Sequence, residues 1–162
     1  MIQIFFFALL IGLIIVSGFI AKKWNFGYFL GGLLFGIYNE ISFEFCWNYS
    51  DALAPMIWKD VPLLVVCGWG ANTMFALSIS DRLLEKMHKS ENVPMTLGLD
   101  LLIFFGISVL NELSMASSGY WAYNFEIQGA LAIVALGYFG LSVFLPATGR
   151  RIQSFIENLR KK

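Results

Sequence analysis

Five apolar runs of about twenty residues each, separated by short charged segments, leave this chain very few folds. They extend from Ile2 to Ala21, Phe26 to Cys46, Val61 to Ser80, Met95 to Ser117 and Ile127 to Ala147. A helix rises about 1.5 Å per residue, so each run is long enough to cross a hydrocarbon layer roughly 30 Å thick. Hydrophobic residues make up 58% of the 162 and charged residues only 14%, so little chain remains to build anything outside the membrane. A soluble domain of this size could not hide that much apolar surface. The expected fold is all-α: a polytopic membrane helical bundle of about five transmembrane helices, forming a single membrane domain.

Charge placement sets the expected orientation. The formal net charge is zero, which gives nucleic acid no electrostatic reason to bind. Threading the five runs puts Lys22, Lys23, Arg82, Lys86, Lys89, Arg150, Arg151, Arg160, Lys161 and Lys162 on one side and Lys59 alone on the other. Basic residues mark the cytoplasmic side, so the amino terminus is expected outside and the carboxyl terminus in the cytoplasm. The first run lacks a basic leader and an Ala-x-Ala-like cleavage site, and reads as a retained span. After Pro146 and Gly149, Ile152, Phe155, Ile156 and Leu159 recur at helical spacing between charges, which suits a short amphipathic helix on the cytoplasmic surface, serving as an anchor or as an extension of the last span.

An internal repeat runs through the apolar pattern. Asn39-Glu40-Ile41-Ser42 and Asn111-Glu112-Leu113-Ser114 share Asn, Glu and Ser at a spacing of 72 residues. The match continues with Trp47-Asn48-Tyr49 against Trp121-Ala122-Tyr123, then Gly68-Trp69 against Gly137-Tyr138, and Asp81-Arg82-Leu83 against Arg150-Arg151-Ile152. It divides the chain into an N-terminal span (residues 1–25), repeat one (26–94), repeat two (95–149) and a tail (150–162). An even number of spans separates the two starts, so the helix pairs are parallel in orientation and related by an axis along the membrane normal. Pro62 suits the first turn of the third span, and Asn92 to Pro94 a capped start of the fourth.

Acids inside a bilayer are costly and mark function. Glu40 and Glu112 are expected in the outer half of the membrane, turned inward and paired or protonated, as catalytic candidates. Asn39 and Asn111 are immediate neighbours, turned about 100° away around the helix. Glu44 stands one turn above Glu40, and Asp100 shares a face with Asn111, so all four are expected to line a polar cleft opening outward. Trp47, Tyr49, Trp121 and Tyr123 fall where the second and fourth spans leave the bilayer. They serve either as interfacial anchors or as a lid over the acids for a cationic or polyene ligand. Trp69 and Tyr138 are expected to wall the same cleft.

Other chemistries lack their residues. His88 is the only histidine and lies among lysines, which excludes bis-His haem, His-rich iron sites and a His-Glu-x-x-His zinc centre. There is no Gly-rich phosphate loop and no Asp-Asp-x-x-Asp cluster. Cys46 and Cys67 sit in apolar stretches and read as buried thiols. No metal and no cofactor is expected.

Glu40, Trp47-Asn48-Tyr49, Leu53-Ala54-Pro55, Val61-Pro62-Leu63-Leu64 and Trp69 together make the first repeat resemble a membrane carotenoid-biosynthesis family that includes bisanhydrobacterioruberin hydratase. The resemblance covers the stretch from Glu40 to Trp69; the second half of the chain does not share it. It implies a long isoprenoid polyene as substrate. Hydration or cyclisation of an alkene begins with protonation by an acid, which the residues permit. The expected function is an integral-membrane enzyme or binding protein for a lipophilic, isoprenoid-like ligand, a metal-independent hydratase or cyclase. The competing readings are a proton-coupled transporter using the same acids and a structural subunit whose acids join helices. The expected partner is a membrane lipid or lipophilic small molecule, with a homo-oligomer or a membrane-complex partner left open.

Overall fold

The computed structural model describes residues 2–89, 92–126, 129, 132 and 136–161. Five helices dominate these residues: α1 (Ile2–Ala21), α2 (Phe26–Ser42), α3 (Leu63–Lys86), α4 (Val93–Ser117) and α5 (Tyr138–Leu159). Three of them, over Gln3–Ala21, Leu63–Lys86 and Val93–Ser117, are long and apolar enough to cross a membrane. The expected fifth span begins at Ile127, but residues 127, 128, 130, 131 and 133–135 lie outside the described residues.

The helix ends follow local chemistry. Lys22 takes a left-handed conformation, φ 56°, directly after α1. Asn92 caps α4 by accepting the Met95 N–H at 3.0 Å, with Pro94 in the first turn, as the sequence predicts. Pro62 sits one step earlier than expected, as the extended residue capping α3. The first turn of α2 is satisfied from another helix: Gln153 on α5 accepts the Gly27 N–H at 2.8 Å.

Glycines on α2 let its neighbours approach closely. A Cβ on Gly27 would lie 2.3 Å from the Gln153 Cα, and one on Gly31 2.6 Å from the Gly149 Cα, so α5 packs backbone against backbone there. On another face of α2, a Cβ on Gly36 would lie 2.7 Å from the Trp69 Cβ. That missing side chain is what gives Trp69 its place beside α2. The packing on Gly27 and Gly31 makes the tail an extension of the last helix. Helix α5 runs unbroken through Pro146 and Gly149 to Leu159, and its last turns pack on α2.

Between the helices lies a core of Tyr28, Met74, Ala76, Leu77, Phe104 and Leu145. Helix α4 buries one stripe, Asp100, Phe104, Ser108 and Glu112, a residue every four. On α2 the positions 72 residues earlier, Tyr28, Gly32, Gly36 and Glu40, are also buried. The opposite surfaces carry exposed Phe5, Phe7, Phe19, Leu102 and Leu110, a distribution suited to a lipid surround.

Two short strands close one end of the bundle. β1 (Trp47–Tyr49) and β4 (Trp121–Tyr123) pair antiparallel, with Trp47 opposite Tyr123, Asn48 opposite Ala122 and Tyr49 opposite Trp121. A smaller pair, β2 (Met56–Trp58) and β3 (Val61–Pro62), leads into α3. The basic residues Lys22, Lys23, Arg82, Lys86 and Arg150 gather toward the other end, where α1, α3 and α5 finish and α2 and α4 begin.

Candidate functional site

Glu40 and Glu112 are each met by aromatic donors. Glu40 accepts the Trp69 indole N–H at 2.7 Å on Oε1. Its Oε2 accepts the Trp47 N–H at 3.1 Å and the Tyr49 hydroxyl at 2.5 Å. Glu112 accepts the Trp121 N–H at 2.7 Å and the Tyr123 hydroxyl on Oε1, and the Tyr138 hydroxyl on Oε2. Both side chains are buried, Glu40 at 1% exposure and Glu112 at 4%. A buried carboxylate without donors is expensive, so three donors each are what keep these acids in an apolar bundle.

The local backbone is arranged to deliver those donors. Helix α2 stops at Ser42, two residues after Glu40, and the chain passes through a short 3₁₀ turn into β1. Alternate residues of a strand point to the same face, so Trp47 and Tyr49 both reach back to Glu40 while Asn48 turns away, bonding Asn124 at 2.5 Å. β4 repeats this with Trp121 and Tyr123 on Glu112. The third donors come from α3 and α5, where Trp69 and Tyr138 stack with ring centroids 6.3 Å apart and planes 24° apart.

One cavity of about 90 Å³ has both glutamates in its wall. Trp47, Tyr49, Trp69, Trp121 and Tyr138 line it with Asn72, Ser108 and Asn111, and Phe6, Leu9, Leu10 and Leu13 of α1 form an apolar side. No Lys, Arg or His is among these lining residues. A mostly apolar cavity with a few converging polar groups has the make-up of a small-molecule site. Of the tyrosines outside the spans, Tyr49 is held protonated well above the usual phenol range, first by burial and then by the Glu40 carboxylate beside it.

The structure thus brings Glu40, Glu112, Asn111, Trp47, Tyr49, Trp69, Trp121 and Tyr138 to one cavity, with Tyr123 behind it on Glu112. Three expected residues lie elsewhere. Glu44 falls beyond the end of α2 and pairs with Lys59 at 2.7 Å, because the helix that would have stacked it over Glu40 stops at Ser42. Asp100 is twelve residues from Glu112 along α4, roughly 18 Å toward the basic end. It is bonded there by Ser80 at 2.5 Å and by Arg150 at 2.7 Å. Asn39 is buried outside the cavity lining, its Nδ2 without a partner among the described residues.

Sequence reasoning missed two features. The α1 side of the cavity was invisible because its residues are uniformly apolar. The second is the network at the basic end, where Arg150 bonds Asp81 at 2.7 Å as well as Asp100, and Tyr28 donates to Asp81 at 2.7 Å. A signal for it existed: Tyr28 and Asp100 are 72 residues apart, as the glutamates are, and Asp81 and Arg150 are 69 apart, as Trp69 and Tyr138 are. No protein-family model, no curated protein and no solved structure matches the chain.

Proposed function

We propose that this chain is an integral-membrane enzyme that protonates a lipophilic, isoprenoid-like ligand in an outward-facing cavity, as a metal-independent hydratase or cyclase does. The observation that carries the reading is that Glu40 and Glu112, from different helices, line one apolar cavity under aromatic donors. The cavity measures about 90 Å³, and in this reading it takes only the reacting end of a long apolar molecule, the remainder lying in the bilayer. One carboxyl gives a proton to an alkene carbon, the other takes one back or orients water, and the rings lining the cavity, Trp47, Trp69, Trp121 and Tyr138, shield the carbocation formed in between.

This reading includes five spans, an external amino terminus and a cytoplasmic carboxyl terminus, consistent with the basic residues at the end away from the strands. It also includes a duplicated helix pair. Support comes from the paired strands, the matching donor sets, and the back-bonds that follow Trp69 and Tyr138: Thr73 to the Trp69 carbonyl and Ser142 to that of Tyr138.

A second reading, a proton-coupled carrier, is favoured by the Arg150 network. It closes the basic end below the cavity, as an inner gate would between two related halves. The test compares lipid extracts of cells expressing wild type and the Glu40→Gln, Glu112→Gln double variant. A changed isoprenoid profile supports the enzyme. An unchanged profile with pH-driven flux in proteoliposomes, abolished by Glu112→Gln, replaces it with the carrier.

A further inference from the structure

The two glutamates have the same strand donors, one Trp and one Tyr each, but different helix donors. Trp69 meets Glu40 on Oε1, and Tyr138 meets Glu112 on Oε2. An indole N–H only donates, whereas a phenol hydroxyl donates or accepts. Glu40 Oε1 must therefore keep a lone pair toward Trp69 at all times. Glu112 Oε2 is free to carry a proton, because Tyr138 can rotate its hydroxyl and accept. Tyr49 on Glu40 and Tyr123 on Glu112 are reversible partners too, but each shares its carboxylate oxygen with an indole donor, Trp47 or Trp121, whereas Tyr138 has Glu112 Oε2 to itself.

We propose that Glu112 and Tyr138 form a proton relay into the cavity, and that Trp69 denies Glu40 the equivalent route. In the loaded state the Glu112 Oε2–H donates to the Tyr138 oxygen, and the Tyr138 O–H points to the cavity. When an alkene carbon takes the Tyr138 proton, the Glu112 proton moves to the Tyr138 oxygen in the same step. Tyr138 ends neutral, Glu112 ends as a carboxylate accepting from Tyr138, and the positive charge sits on the ligand. Glu40, with an indole donor on each of its oxygens beside the Tyr49 hydroxyl, is then the anion facing that cation. The step onto an alkene rests on the proposed enzyme reading; the division of roles between the two acids does not.

Around the relay, the titratable groups are few. Glu112 of α4 faces Tyr123 of β4, Tyr138 of α5, Tyr49 of β1 and Glu40 of α2. The α3 wall contributes Leu64, Val65, Gly68, Trp69 and Asn72, and the α1 wall only apolar side chains, so neither element adds a competing charge.

Infrared spectra of the purified full chain in detergent, recorded from mildly acidic to alkaline pH without ligand, test the assignment. A protonated carboxylic-acid band is expected in wild type, lost in Glu112→Gln and kept in Glu40→Gln. The band shifts in Tyr138→Phe, because the acid loses its acceptor, and Trp69→Tyr adds a second acid band. A band that follows Glu40, no acid band at any pH, an unshifted band in Tyr138→Phe, or no second band in Trp69→Tyr would each overturn the relay. Should Tyr138→Phe not fold, Tyr138→Trp removes the acceptor while keeping a donor, and an unshifted band there counts the same way. An unchanged lipid profile in the double variant removes the enzyme reading and leaves these spectra as they are, so the two failures are told apart.

Discussion

Trp47 and Tyr123 face each other across β1 and β4, yet each bonds a different carboxylate: Trp47 reaches Glu40 and Tyr123 reaches Glu112. Tyr49 and Trp121 do the same from the other end of the register. The strand pair therefore ties α2 to α4 through four side-chain bonds, and the carboxylates tie the strands to the helices. Cap and site are one structure, so damage to either reaches the other.

Removing one indole donor tests that coupling. Trp121→Phe leaves a Glu112 oxygen short of a donor in a buried setting, at a cost of about 1–3 kcal/mol. Thermal unfolding in detergent is expected to show a lowered midpoint. Trp58→Phe, at a half-exposed tryptophan away from the glutamates, is expected to leave it unchanged. Equal effects from the two substitutions would show that the bond to Glu112 carries no weight.

At the other end, Arg150 neutralises a buried acid. Asp100 is 2% exposed and receives two of the guanidinium nitrogens, at 2.7 and 2.8 Å. Arg150→Met strands that carboxylate, and breaking a buried pair from one side costs about 3–5 kcal/mol. Adding Asp100→Asn is expected to restore part of the loss, whereas Asp81→Asn, at a more exposed carboxylate, restores less. A double-mutant cycle on chemical denaturation reads the difference, and full additivity between Arg150→Met and Asp100→Asn would refute the pairing.

Much of this was legible in the sequence, and the failures have physical causes. The bounds of α1 and α4 and the Asn92 cap follow from apolar length and capping chemistry. The matching of Glu40 to Glu112 and of Trp47-Tyr49 to Trp121-Tyr123 stands in the sequence, and of the residues Glu40, Glu112, Trp47, Tyr49, Trp121 and Tyr123 all but Tyr123 line the cavity. Glu44 was misplaced because helical periodicity assumes an unbroken helix, and Asp100 because a shared face with Asn111 leaves out the rise along the helix that separates it from Glu112. The chain breaks α2 at Ser42 to return two donors to Glu40, and no period records that. Arg150 looked like a surface charge, since sequence does not show that Gly149 packs on Gly31 and Gln153 on Gly27.

That close contact gives a packing prediction. A Cβ on Gly31 would lie 2.6 Å from the Gly149 Cα, backbone that cannot swing aside. Gly31→Ala is expected to force α2 and α5 apart and to cost about 1–3 kcal/mol. Gly106→Ala, in α4 with nothing within 4 Å, is expected to be neutral or mildly stabilising, since alanine is the better helix former. Unfolding midpoints of the two variants should move in different directions or by clearly different amounts. A Gly31→Ala protein as stable as wild type would mean that α2 and α5 are not in backbone contact.

Tyr49 gives the pH dependence. Burial first, and the neighbouring Glu40 carboxylate second, raise its ionisation above that of a free phenol. In the unfolded chain a tyrosine ionises near about pH 10. Above that value the folded state holds a proton that the unfolded state has released, so stability falls as pH rises further; below it the contribution is present in full. Alkaline titration is expected to show Tyr49 phenolate only together with unfolding, and Glu40→Gln, which removes the second cause, to let it ionise at lower pH. Phenolate absorbance followed beside helical signal, with Tyr49→Phe to identify the transition, reads both. A Tyr49 phenolate formed in the intact fold near the free-phenol value would mean that the hydroxyl is not enclosed against Glu40.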